Sequence, residues 1–271
     1  MTRQVKKLAF NPKILDEEIV KDSLESVSQL EEKEPIYLLG GIAVQSYLPT
    51  SCRRPTSDID YTLVRPLSYP DFREMMAPVA EFLRDKGYST ETKKGSRASL
   101  LYVVNSESKE GLAIEFPRRS NESFQKRKSM LERELNNSRK KIIEERKISY
   151  RVACPEDLVV PKLVRSINSL GRNPDLEKLI PDKLEGLSYE DVERAIGKIN
   201  ARRQEAMISP GDIKLAEELR FVSDLYDVRI LAEIPGFNEK YLLEVENEWR
   251  DINKNPELRD RIFSVTFPSI E

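Results

Sequence analysis

The chain has 271 residues, 39 % hydrophobic and 34 % charged, with a formal net charge of −2, enough for a sizeable core in one large domain or two smaller ones. It contains no histidine, which excludes Ser-His and Cys-His nucleophilic schemes, histidine-type zinc sites and imidazole acid–base chemistry. Its two cysteines, Cys52 and Cys154, are far apart without metal-type spacing, and read as reduced thiols of a cytoplasmic protein.

The opening Met-Thr-Arg-Gln-Val-Lys-Lys has no apolar signal run behind it, and no segment approaches the roughly 18 apolar residues of a membrane span, so no membrane partner is expected. Residues 14–32 carry Ile14, Val20, Leu24, Val27 and Leu30 at helical spacing, predicting an amphipathic helix. Pro35-Ile-Tyr-Leu-Leu-Gly-Gly41 then reads as a strand entering a glycine turn and a short helix to Leu48. Asp58-Ile-Asp60-Tyr-Thr-Leu-Val64 reads as a second strand. A helix over about 71–87 follows, to be kinked or split by Pro78. Residues 88–104 predict two short strands, and Gly111 to Phe116 a third. The stretch 118–151 holds twelve Lys and Arg against five Glu, a net +7 that marks either a polyanion surface or a solvated, salt-bridged segment. From Cys154 onward the pattern is helical, with helices expected over 158–170, from Ser188 to about Met207, from Asp212 to about Leu231, and over 239–253. A short strand or extended tail is expected at 262–268.

The chemistry concentrates in residues 35–64. Alternation along the second strand puts Asp58, Asp60 and Thr62 on one face and Ile59, Tyr61 and Leu63 on the other. Two neighbouring carboxylates repel unless a cation lies between them, and a divalent metal with oxygen ligands suits them. Gly40 and Gly41 allow backbone N–H groups to approach a phosphate. Thr56 and Ser57 are candidate added donors, and Arg54 either braces the loop or touches a phosphate. Glu115 is a lone acid on a short apolar strand. If that strand neighbours Asp58–Val64, Glu115 completes a three-carboxylate set as a metal ligand or general base. Such a set permits metal-assisted phosphoryl or nucleotidyl transfer without histidine. Gly-Gly alone, or Asp-x-Asp alone, is a weak signal; the combination carries the reading.

Leu39-Gly40-Gly41 followed by Arg54-x-Thr56-x-Asp58-x-Asp60 resembles the signature of the DNA polymerase beta-like nucleotidyltransferase superfamily. The sixteen residues between the glycines and Asp58 resemble its AbiE-type branch, the nucleotidyltransferase toxins of type IV toxin–antitoxin systems. Cys154-Pro-Glu-Asp-Leu158 with Lys162-Leu163, then Gly171-Arg172-x-Pro-Asp175, resembles that branch's downstream motif. Two positions depart from the pattern: Pro161 directly precedes the lysine, and Lys178 stands where a second acid is common. The resemblance covers roughly residues 36–180. It implies an NTP substrate, Mg²⁺ (or Mn²⁺), nucleotide-site roles for Lys162 and Asp175, and an antitoxin protein as partner.

The expected fold is α/β (α+β): a small mixed sheet flanked by helices over 1–117, a basic connecting segment over 118–153 and a helical domain over 154–271. The expected activity is transfer of a nucleoside monophosphate to an acceptor hydroxyl, with an RNA or tRNA end as the leading acceptor because 118–151 is basic. Small-molecule or protein nucleotidylation, a catalytically silent nucleotide- or RNA-binding protein, and a helical scaffold stand as alternatives.

Overall fold

A computed structural model describes residues 13–180, 188–209, 211–249 and 256–257. The chain divides into two compact units. The first comprises the chain up to Ser46 together with Pro55–Ala153, and the second comprises Tyr47–Arg54 and the chain from Cys154 onward.

The first unit is built on a mixed sheet. Its strands are β1 (Ile36–Leu39), β2 (Asp58–Leu63), β3 (Tyr88–Lys94), β4 (Ala98–Asn105), β5 (Gly111–Pro117), β6 (Arg139–Ile143) and β7 (Ile148–Val152), in spatial order β3-β4-β5-β2-β1-β7-β6. β2 lies antiparallel to β1 and parallel to β5, and β7 runs parallel to β1. Ile59, Tyr61 and Leu63 of β2 are buried on one face with Leu101, Val103, Ile114 and Phe116. There Tyr61 stacks on Phe116 at 5.4 Å between ring centres, and Phe116 meets Phe72 at 5.9 Å. Phe72 belongs to α3 (Tyr69–Met75), which is followed by α4 (Ala77–Asp85). The single helix expected here is thus split, with Pro78 in the first turn of α4, where its missing N–H costs nothing.

The first helix, α1 (Glu18–Ser28), is shorter than the expected 14–32 and buries Val20, Leu24 and Val27. Asp22 anchors it, accepting from the Tyr88 hydroxyl at 2.6 Å and from Arg146 at 2.7 Å. Burial alone would raise this carboxyl, but the bonds from Tyr88 and Arg146 outweigh it and hold the group below its ordinary value.

Residues 118–153, expected as a connecting segment, hold α5 (Asn121–Gln125), α6 (Lys128–Asn137) and the hairpin β6–β7, which completes the sheet. These two strands were not expected from the sequence. β6 reads Arg-Lys-Lys-Ile-Ile and lies at the sheet edge, where charged side chains are tolerated and blunt further pairing.

The second unit is helical, as expected: α7 (Pro155–Arg172), α8 (Tyr189–Ile208), α9 (Ile213–Ala232) and α10 (Glu239–Glu248). Ser188 caps α8 by accepting from the Asp191 N–H. From Phe221 to Leu231 nearly every residue of α9 is buried, so this helix forms the unit's centre. The strand or tail expected at 262–268, and the last residues of the helix expected over 239–253, lie outside the described residues. No helix among the described residues is long and apolar enough to cross a membrane. Both cysteines are free thiols.

Asp22→Ala removes one of the three acids that hold Arg146 and the acceptor from Tyr88. It is expected to destabilise the protein by about 2 kcal/mol in urea titrations at pH 7. The loss should shrink as pH falls below the ordinary carboxylate range, where wild-type Asp22 loses its charge too.

Candidate functional site

The site grows out of the β1 turn. β1 ends at Leu39 and the chain turns through Gly40, with φ +71°, into α2 (Gly40–Gln45). A side chain at Gly40 would be strained by that φ alone. It would also collide with the Asp60 carboxylate, because a Cβ there would lie 1.9 Å from Asp60 Oδ2 and 2.9 Å from Asp60 Cβ. A Cβ on Gly41 would lie 2.9 Å from the Thr56 side chain. The two glycines are therefore what lets the bend close onto Asp60 and Thr56, and the bend faces the aspartates. Thr56 in turn donates its hydroxyl to Asp58 Oδ1 at 2.8 Å. Ser57 is exposed.

β5 brings the third carboxylate. In the parallel β2–β5 pair Asp58 is opposite Ala113 and Asp60 is opposite Glu115. Residues directly opposite share a sheet face, so Asp58, Asp60 and Glu115 stand together on the face away from the Tyr61–Phe116 core. Burial, and secondly the charge of Asp58, raise the Glu115 pKa. Two carboxylates opposed on neighbouring strands are unfavourable without a counter-charge. Among the described residues no group of three or more Cys, Asp or Glu is disposed to hold a metal ion. The donor chemistry still suits a hard divalent cation. It consists of oxygens only, and the charge pressure on Glu115 is what a cation relieves.

Further along the same face, Tyr37 of β1 pairs with Thr62 of β2, and its hydroxyl donates to Glu134 of α6. Arg119 donates to Thr62 Oγ1 and to the Leu63 carbonyl, both at 3.2 Å. Thr62 is two residues, or about 7 Å, from Asp60 along the strand.

The other residues singled out in the sequence belong to the second unit. Arg54 is buried and grips Asp227 with two N–H groups, one of them at 2.6 Å, and the Lys162 ammonium donates to the same carboxylate at 2.7 Å. Burial would raise Asp227, but the charges of Arg54 and Lys162 outweigh it and hold the group below its ordinary value. Asp224, one helical turn before Asp227, accepts two bonds from Arg165. Sequence reasoning missed Asp224 and Asp227. Their spacing of three residues on one helix, beside otherwise apolar positions, was the available signal. Asp175 is exposed in a 3₁₀ turn, Pro174–Leu179, and pairs with Lys178 at 3.1 Å. Trp249 is half-buried, whereas Tyr61 is a core residue.

No family model and no curated protein matches the chain. Among solved structures it is similar to an antigenic nucleotidyltransferase-like protein from Paracoccidioides brasiliensis, at 12 % identity and a TM-score of 0.41, over 92 % of this chain and 96 % of that one. It is also similar to the polymerase core of TRAMP, an RNA surveillance complex, at 16 % identity and a TM-score of 0.25, over 84 % of this chain and 62 % of that one.

Two outcomes test the site's geometry. Gly40→Ala is expected to cost about 1–3 kcal/mol in denaturant melts. Gly87→Ala, also at positive φ but with nothing within 4 Å of a Cβ, should cost less, because it carries only the backbone term. Equal costs would mean that Gly40 does not press on Asp60. Secondly, a carboxyl whose folded pKa is raised stabilises the fold only below its unfolded value and loses that contribution as pH rises through the folded value. Glu115→Gln should therefore raise the melting temperature of the metal-free protein at pH 7.5, with the gain fading towards pH 4.5.

Proposed function

We propose that this protein is a metal-dependent nucleotidyltransferase that moves a nucleoside monophosphate from an NTP to an acceptor hydroxyl and releases pyrophosphate. The observation that carries the proposal is the Asp60–Glu115 pairing across β2 and β5, with the Gly40 bend closed onto Asp60. Asp58 and Asp60, with Glu115, would hold Mg²⁺ or Mn²⁺. A bound divalent ion supplies charge neutralisation at the reacting phosphate and acidifies the attacking hydroxyl.

The chain's own groups do the rest. Gly40 and Gly41 leave room for phosphate oxygens beside backbone N–H groups, and Thr56 orients the Asp58 carboxylate. Ser57 is an exposed donor at the start of β2. Glu115, raised by burial, is suited to take the proton of the acceptor hydroxyl. The motif resemblance assigns Arg54, Lys162 and Asp175 to the nucleotide. Arg54 and Lys162 share their charge with Asp227, which presets both side chains and tempers the field they offer a phosphate. The same motifs support an AbiE-type role in the cytoplasm, with an antitoxin partner and an RNA or tRNA end as acceptor.

One observation favours a second reading. The three carboxylates do not form a ready-made metal-holding group among the described residues, as a catalytically silent nucleotide-binding protein would have it.

Transfer is tested by offering α-labelled NTPs with Mg²⁺ or Mn²⁺ to total RNA, to protein and to small hydroxylated acceptors. Asp60→Asn is expected to lower transfer by about a thousandfold, some 4 kcal/mol in the barrier. Transfer by Asp60→Asn at the wild-type rate sinks the assignment. Metal-dependent NTP binding in calorimetry without turnover on any acceptor establishes the silent reading instead.

A further inference from the structure

A concavity of about 770 Å³ opens where β3 and β5 end and β4 begins. Lys94, Arg97, Arg118, Arg119 and Arg127 line it, and no acidic residue does. Five cations around one hollow repel each other, so the arrangement favours an anionic occupant.

The cations form two tiers. Arg118 and Arg119 are half-buried and held by the chain itself. Arg118 donates to the carbonyls of Gly95 and Ser96 at 2.6 and 2.7 Å, which leaves its buried Nε without a protein partner. Arg119 is fixed on Thr62 and Leu63. Burial lowers its pKa, and the charge of Arg127 adds to that lowering. Lys94, Arg97 and Arg127 form the outer, exposed tier.

We propose that this hollow binds the sugar–phosphate backbone of a single-stranded nucleic acid. The charges are too many and too spread for one phosphate, and four of the five are arginines, whose planar forks match phosphodiester oxygens. Tyr69 also lines the hollow, half-buried and stacked on Phe72 at 6.4 Å, and an aromatic ring at such a rim is the kind of group on which unpaired bases stack. Arg119 reaches from the rim of the hollow to Thr62, a buried residue two positions from Asp60 on β2. The inference deepens the proposed function by locating a binding place for a nucleic-acid strand, and only the strand's role as acceptor rests on that reading.

Fluorescence anisotropy of labelled 12-nucleotide RNA and DNA single strands of matched sequence, without NTP or metal, tests the binding. Arg97→Ala/Arg127→Ala, which removes two exposed charges, should weaken binding by about tenfold or more. It should also reduce the slope of log affinity against log salt by about 1.4, near 0.7 per lost phosphate contact. The exposed pair Lys33→Ala/Lys240→Ala should leave both unchanged. Binding of either strand with this dependence supports the proposal, and the tighter of the two identifies the natural strand. No binding, binding indifferent to Arg97 and Arg127, or full displacement by millimolar pyrophosphate overturns it; the last result marks a small-anion site. Asp60→Asn should bind the strand like the wild type. Wild-type protein that binds the strand but transfers nothing to any acceptor therefore counts against the enzyme assignment alone, and wild-type transfer without strand binding counts against the hollow alone.

Discussion

The parallel pairing of β2 with β5 is the constraint on which the rest depends. It sets Asp60 against Glu115, an opposition of like charges that a sheet normally avoids. The surrounding structure makes it tolerable. Tyr61 and Phe116, the next residue on each strand, stack in the core and lock the register that holds the acids together. A slip of β2 by one residue would send Asp60 into that core and Tyr61 out of it. The acidic pair is thus held by the apolar pair behind it, and Glu115 has a raised pKa through burial first and the charge of Asp58 second.

The basic stretch 118–151 is not a uniform surface. Arg146 is spent on Asp22, Glu25 and Glu18 of α1, and Lys126 and Lys128 pair with acids one turn away. Arg118, Arg119 and Arg127 instead turn to the hollow that Lys94 and Arg97 complete. The two readings left open for this stretch each describe part of it. Net charge along a sequence does not separate them, because the acids that neutralise Arg146 come from more than a hundred residues away.

In the second unit a buried carboxylate does the organising. Asp227 receives Arg54 and Lys162 in the buried C-terminal half of α9. An Asp buried to this degree is strongly disfavoured unless paired, and each partner would be disfavoured without it. The three form one electrostatic unit, so the effect of replacing Arg54 or Lys162 combines lost stability with any lost nucleotide contact. A charge-retaining Arg54→Lys change keeps the pairing charge but loses the two-pronged grip.

Much of the fold and half of the site were legible in the chain. Alternation put Asp58 and Asp60 on one face, Gly40-Gly41 marked the bend, Pro78 marked a break and Ser188 a helix start; each is a local rule of φ, periodicity or capping, and local rules are written in neighbouring residues. The edge strand β6 was hidden because its charges suit an edge and blur the alternation that marks a strand. Asp224 and Asp227 were hidden because a buried acid is explained only by partners distant in sequence. Only the tertiary structure decided that β5 lies beside β2 in the register that opposes Glu115 to Asp60, and that five cations from three segments face one hollow. Those are facts of strand neighbourhood, set by which apolar faces pack together, and no short stretch of sequence contains them.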